Sequence, residues 1–264
     1  MGWAKNHFSD LDPLEKNCFS SQDLNPIREP SSLPSLVFIQ NDKNVGFAAG
    51  NNVVLRLLAG QDIYVWILNP DMVVAENALL ELVQFARTKH SNTIIGSVVK
   101  FYHDPGKIQM YGGGHIKFKS GTISFVVDSD RVADLDYISG GAMFIHASLL
   151  QKYGLLPEEY FLYWEETDWC YGARIQGCAL AVCKRSVVFD KVGTTIGRSY
   201  LAEYYYTRNG LLFLQKYKRE NVRKALFYCR IRLLKKIAQL QWKRAKGVFQ
   251  GAESFKKMMS HGNK

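Results

Sequence analysis

The sequence has little cysteine and no pattern that would pair it. Five thiols, Cys18, Cys170, Cys178, Cys183 and Cys229, stand in 264 residues, odd in number and without a C-x-x-C pair. A disulfide framework and a zinc knuckle therefore gain no support, and buried, inert thiols are expected. No run reaches the roughly 18 apolar residues that span a bilayer. The opening Met1-Gly2-Trp3-Ala4-Lys5-Asn6 lacks an apolar signal stretch, and Asn6 stands where a myristoylation motif needs Ser or Thr. A cytoplasmic chain is expected. The six histidines show no H-E-x-x-H spacing and G-x-S-x-G is missing, so zinc-hydrolase and serine-hydrolase readings lack support. His103, His115 and His146 read as surface or structural residues.

What is present is ordinary globular material, 47% hydrophobic and 22% charged, enough for one large α/β domain or two small ones. Charge is unevenly placed. The net charge is +10, yet residues 216–264 hold 15 Lys/Arg against 2 Asp/Glu, leaving the rest of the chain slightly acidic. A basic tail of this kind suits an anionic partner. Within it, Leu226, Phe227, Ile231, Leu234, Ile237 and Leu240 fall near helical spacing among Arg230, Arg232, Lys235 and Lys236, as in an amphipathic helix. Such a helix serves equally to pack on its own domain or to lie on an anionic membrane, peripheral to its inner face. Nucleic acid is the least favoured partner.

Residues 1–35, with four prolines, read as an irregular arm. From Leu36 the pattern becomes strand (36–39), helix (48–59), strand (63–68), helix (75–89) and strand (93–101), which predicts a mostly parallel sheet with covering helices. The glycines at 112–114 and the alternation around Gly121 suggest a hairpin excursion. A helix is expected over 163–177, a strand or strand pair over 180–189, and another helix over 200–217. The chain thus divides into an arm (1–35), an α/β domain (36–217) and a basic helical tail (218–264).

Four segments could carry chemistry. Asn44-Val45-Gly46-Phe47-Ala48-Ala49-Gly50-Asn51-Asn52 is a strand-to-helix passage where glycines let backbone approach a ligand, although a plain turn explains it as well. It matches neither G-x-G-x-x-G nor the P-loop pattern. Asn69-Pro70-Asp71 ends an apolar strand, where ligands gather in α/β sheets. A carboxylate at Asp71 could hold a hard divalent cation, or the tripeptide could simply turn the chain. In Tyr163-Trp164-Glu165-Glu166-Thr167-Asp168-Trp169, Glu165 and Asp168 share a helix face while Glu166 is rotated by about 100°. Tryptophans beside carboxylates raise their pKa, which suits a general base. The plainer account is that acids favour a helix N-terminus by less than about 1 kcal/mol each. Ser139-Gly140-Gly141-Ala142 would let substrate rest on backbone, or let a core strand pack tightly.

Taken in order, these segments resemble the family 2 glycosyltransferases, especially rhamnosyltransferase-like members that build bacterial surface polysaccharides. The resemblance runs from about Leu36 to Tyr217. It is carried by Asn44-x-Gly46-Phe47-Ala48-Ala49-Gly50-x-Asn52, Leu68-Asn69-Pro70-Asp71, Ile138-Ser139-Gly140-Gly141-Ala142, Tyr160-Phe161-Leu162-Tyr163-Trp164-Glu165-Glu166-x-Asp168 and Tyr206-x-Arg208-Asn209. It implies a GT-A fold and inverting transfer from a nucleotide-diphosphate sugar, such as dTDP-rhamnose or a UDP-sugar, to a glycan or lipid-linked acceptor. By the same resemblance Glu166 is the general base, with Glu165 and Asp168 orienting acceptor and base. Asn44, Gly46, Gly50, Asn52, Asn69, Asp71, Gly140 and Gly141 line the donor site, and Asp71 binds Mg²⁺ or Mn²⁺.

The sequence departs from that family at three places. The usual opening strand with Val-x-Thr-Tyr-Asn and the later Asp-Asn-x-Ser-x-Asp are not found, so the first β-α-β unit is expected to be missing. A catalytically impaired fragment with a membrane-peripheral or assembly-binding role is the alternative this raises. The family's late histidine falls at Asp190, an acid that can itself ligate Mg²⁺ or Mn²⁺. The arginine that commonly follows the paired acids falls at Gly172, with Arg174 nearby.

Overall fold

The structure is a computed structural model that describes residues 18–20, 37–191 and 199–261, the first three and His261 by backbone alone. Most of the arm expected over residues 1–35 lies outside the described residues. The exception is β1 (Cys18–Ser20), which pairs in parallel with β2 (Phe38–Gln40). After it come α1 (Phe47–Leu58), β3 (Tyr64–Leu68), β4 (Met72–Val74), α2 (Ala78–Arg87) and β5 (Thr93–Phe101). The apolar runs thus become the expected elements, with ends shifted by a few residues. β5 is buried from Thr93 through Val99, as a largely apolar strand covered on both faces should be, and the hydroxyl of its buried Ser97 meets that of Ser186 (2.9 Å).

β6 (Asp104–Tyr111), β7 (Gly113–Lys117), β8 (Thr122–Phe125) and β9 (Tyr137–Ile138) follow, then β10 (Ala142–His146), a short α3 (Ser148–Tyr153), α4 (Glu165–Ile175) and β11 (Ala179–Asp190). The main sheet has the order β3-β10-β5-β11-β4, with β6 paired to β5. It corrects the expectation of a mostly parallel sheet. Within it only β5 and β11 pair in parallel, whereas β10 lies antiparallel between β3 and β5 and β4 lies antiparallel beside β11. The cause is the Tyr137–His146 stretch, which breaks at Ser139-Gly140-Gly141 so that β9 joins a small β8-β7-β9 sheet while β10 enters the main one.

Three helices close the chain: α5 (Tyr200–Tyr217), α6 (Val222–Ala238) and α7 (Trp242–His261). α7 lies hard against α5, because a β-carbon at Gly247 would strike the Tyr200 carbonyl region and one at Gly251 the Tyr204 carbonyl region. Small residues permit that closeness. Glu203 of α5 is buried and takes Arg232 (2.7 Å) and Lys236 (3.1 Å) from α6 and Arg244 (2.5 Å) from α7. Part of the basic tail is therefore folded onto its own domain. Cys170, Cys178, Cys183 and Cys229 are buried free thiols, as expected of them. No described helix is long and apolar enough to cross a membrane.

Candidate active site

The acid-bearing segment begins in a strained turn. Phe161 (φ 63°), Tyr163 (φ 64°) and Trp164 (φ 80°) all adopt the left-handed region, each at a cost of roughly 1–2 kcal/mol for a bulky residue. Two elements hold the turn. From α5, Asn209 Nδ2 donates to the carbonyls of Tyr160 (2.7 Å), Leu162 (2.8 Å) and Tyr163 (2.9 Å), while Arg208 Nη2 donates to Tyr160 O (2.9 Å). From the other side, the Phe47 amide donates to Phe161 O (2.9 Å), and Gly46 (φ 88°) sits where any β-carbon would collide with that same oxygen. Two sequence motifs, Asn44–Asn52 and Tyr206–Asn209, thus converge on one loop.

The loop delivers Glu165 and Glu166 to a cleft of about 450 Å³. Asn69, Ser139, Gly140 and Gly141 form one wall, and Tyr163, Tyr206 and the Ile123–Phe125 edge of β8 another. Burial raises the Glu166 carboxyl above its ordinary range, offset in part by the backbone N–H groups of Glu166, Thr167 and Gly140. Burial, followed by the charge of Glu166, pushes Glu165 up to about 8. One Glu165 oxygen is buried without a partner, in keeping with a carboxyl that holds its proton at neutral pH. The pair can carry one negative charge in the cleft, on Glu166, which suits proton abstraction.

Other expected residues are placed differently. Asp168 points away from the cleft, accepting from Tyr160 (2.7 Å), Tyr217 (2.5 Å) and Lys216 (2.8 Å), and so bolts α4 to the end of α5. Asn52 is buried with its amide committed to the Leu156 backbone and to Glu158, which leaves it no group to offer a donor. Asn44 caps its own turn by accepting from Gly46 N (3.0 Å), and Gly50 lies within α1. From that segment only Phe47 lines the cleft. Ile123, Ser124 and Phe125 lay outside every segment that sequence reasoning singled out for chemistry, whereas Phe47 lay inside the Asn44–Asn52 motif. Tyr206 and Tyr163 lay inside motifs already noted, and a cleft-facing role for their rings was the missing step.

Asp71 and Asp190 are brought together. Asp190 pairs in register with Met72, Lys191 N donates to Asp71 O (3.3 Å), and Asp190 is raised by burial and then by the charge of Asp71. Gln109 Nε2 donates to Asp190 Oδ2 (3.0 Å), while its Oε1 is buried without a partner. Two carboxylates and an orphan amide oxygen are hard donors that fit Mg²⁺ or Mn²⁺. Among the described residues no cluster of three or more His, Cys, Asp or Glu forms a metal site.

Residues 24–154 match the model of glycosyl transferase family 2. Over that stretch, just under half of its length, the chain is similar to this family. The matched stretch holds Asn69, Asp71, Gly140 and Gly141; the acids at 165, 166 and 168 follow it. A curated relative of this domain is the low-salt glycan biosynthesis hexosyltransferase Agl10 of Haloferax volcanii, 23% identical over 161 residues, which is 60% of this chain and 52% of that protein. The chain therefore spans about half the length of the curated relative it matches. Among solved structures, GalNAc-T7 with UDP, GalNAc and Mn²⁺ superposes with a TM-score of 0.52 at 15% identity, over 86% of this chain and 45% of the other. A Pyrobaculum calidifontis mannosyltransferase, PcManGT, in complex with GDP-Man and Mn²⁺, aligns at 12% identity and a TM-score of 0.47, over 83% and 70%. The domain has the GT-A fold, with a central mixed sheet and flanking helices.

Proposed function

We propose that this chain transfers a sugar from a nucleotide-diphosphate donor to a hydroxyl of a glycan or lipid-linked acceptor, with inversion at the anomeric carbon. The observation that carries the reading is the placement of Glu166 in the cleft, faced by the Gly140 amide and next to a Glu165 that keeps its proton. Glu166 takes the proton of the attacking hydroxyl, general-base catalysis worth on the order of 10²–10⁴-fold. Glu165 remains neutral, so the cleft keeps a single charge to accept that proton. Asn69 and the Gly140–Gly141 backbone make the floor on which the donor sugar rests, and Tyr163, Tyr206 and Phe47 supply ring faces for it.

Asp71 and Asp190, with Gln109 beside them, would hold Mg²⁺ or Mn²⁺, whose charge stabilises the departing diphosphate. Support for the metal also comes from the Mn²⁺ named with GalNAc-T7, which shares the fold. The rhamnosyltransferase-like motif order supports dTDP-rhamnose as a first donor to test, with UDP-sugars beside it, and bacterial surface polysaccharide synthesis as the setting. A lipid-linked acceptor is met at a membrane face, and the basic tail supports a peripheral position there.

Calorimetry of dTDP-rhamnose and UDP-sugars with and without Mn²⁺ is the test. Metal-dependent binding of one donor is expected, weakened in Asp71→Asn and retained in Glu166→Gln, with transfer lost in Glu166→Gln. Normal turnover in both variants would sink the assignment. So would a folded chain that binds no donor.

A further inference from the structure

We propose that the outer face of α6 and the α6–α7 turn form a docking surface for an anionic phospholipid bilayer. α6 has two faces with different fates. Val222, Ala225 and Cys229 are buried against the body of the protein, and Arg232 and Lys236 turn inward to Glu203. The outward face shows Phe227, Ile231 and Leu234 in a stripe, with Lys224, Arg230 and Lys235 alongside, all exposed, and α6 contains no acid at all. At its C-terminal end Leu240 takes a left-handed turn (φ 56°) that leaves it 74% exposed, next to Trp242 at 61%.

Large apolar side chains interleaved with bases, without an opposing charge, match the interfacial helix of a peripheral protein. The bases meet lipid phosphates, the Phe, Ile and Leu side chains enter the acyl boundary, and an exposed Trp sits at headgroup level. Between α6 and α7 a groove of about 380 Å³, lined by Leu226, Leu233, Val248 and Phe249, has room for an acyl chain with Arg230 at its edge to meet the phosphate, while Lys256 beside it is paired with Glu253 (2.6 Å). A nucleic acid would satisfy the bases but leave the apolar stripe in water. A second copy docked through the same face would set like charges against each other. This surface deepens the peripheral placement proposed above but not the transfer chemistry: docking is read by lipid binding and transfer by turnover, so each can fail alone.

Co-sedimentation of the full chain with vesicles tests it, using phosphatidylcholine alone and with about one third phosphatidylglycerol. Binding to the anionic vesicles is expected to be on the order of tenfold tighter or more, and to weaken with salt. The variant K224E/R230E/K235E should lose the preference for anionic vesicles. L240S/W242S should lose the binding that persists at high salt. All substituted residues are exposed, so circular dichroism should be unchanged and donor affinity in solution should match that of the parent. Equal or absent binding to the two vesicle types would overturn the proposal. It would equally be overturned by vesicle binding unchanged in both variants, or by binding to duplex nucleic acid that the charge variant abolishes and the apolar variant leaves intact.

Discussion

Asn209 Nδ2 lies 2.9 Å from the carbonyl oxygen of Tyr163, a residue held in the left-handed region just before the glutamates of the cleft. The same amide reaches the carbonyls of Tyr160 and Leu162, so one buried side chain on α5 restrains the whole turn that aims Glu165 and Glu166. Asn209→Ala strands those carbonyls, at a cost of roughly 1–3 kcal/mol. Turnover should fall further than the loss of folded protein explains, with donor affinity little changed. Chemical denaturation and single-turnover kinetics on the same samples separate the two effects; unchanged turnover per folded molecule would show that the turn holds its shape without the clasp.

Glu165 makes stability depend on pH with a definite sign. Its folded carboxyl is raised from 4.5 to about 8, so the folded state binds the extra proton between those values and stability falls as pH rises through that window. Glu165→Gln mimics the protonated form and should remove that slope. The variant should gain on the order of a few kcal/mol relative to the parent between pH 5 and pH 8.5. Guanidinium midpoints at the two pH values decide it, and parallel slopes for parent and variant would contradict the assignment.

Glu203 works in the opposite direction. Burial alone would raise its carboxyl, but Lys236, Arg232 and Arg244 together outweigh burial and hold it below its usual range. Its contribution is present above the ordinary carboxylate pKa and is lost as pH falls through the depressed folded value. Glu203→Ala leaves three cations facing one another between α5, α6 and α7, and should destabilise by about 3 kcal/mol. The loss should be larger at neutral pH than in acid, measurable as converging melting temperatures of parent and variant on acidification.

Gly46→Ala combines a backbone and a steric penalty. The residue has φ 88°, and its β-carbon would run into Phe161 O, the acceptor for the Phe47 amide. A loss of about 2 kcal/mol or more is expected. Because the clash bears on the acid-bearing turn, transfer should suffer in the folded fraction as well. Gly154→Ala is the control, since nothing lies within 4 Å of its β-carbon position although its φ is also positive. Equal losses in the two variants would assign the whole cost to backbone strain.

Much of the fold was legible in the residues. The helix expected at 200–217 is α5 (Tyr200–Tyr217), and the strand expected at 93–101 is β5 (Thr93–Phe101), because both are long and strongly patterned. The pairing of β10 was not legible: four apolar residues and a histidine form a strand in either direction, and the choice follows from where Ser139-Gly140-Gly141 lets the chain cross between sheets. The site was legible in part. Glu165, Glu166, Asn69 and Gly140 meet in one cleft, whereas Asn52 and Asp168 spend their polar atoms inside the protein. A motif names residues that belong together without saying which face a ligand and which face backbone.

By itself the sequence determined the alternation of strands and helices, the acid-rich helix start and the concentration of positive charge after residue 216, because periodicity and charge are local properties. The tertiary structure alone decided the partners. Asn209 meets Tyr163, Asp190 meets Asp71, and Glu203 draws in three of the tail's cations while others stay outward, since these pairings depend on long-range register and on which helix face the core has already taken.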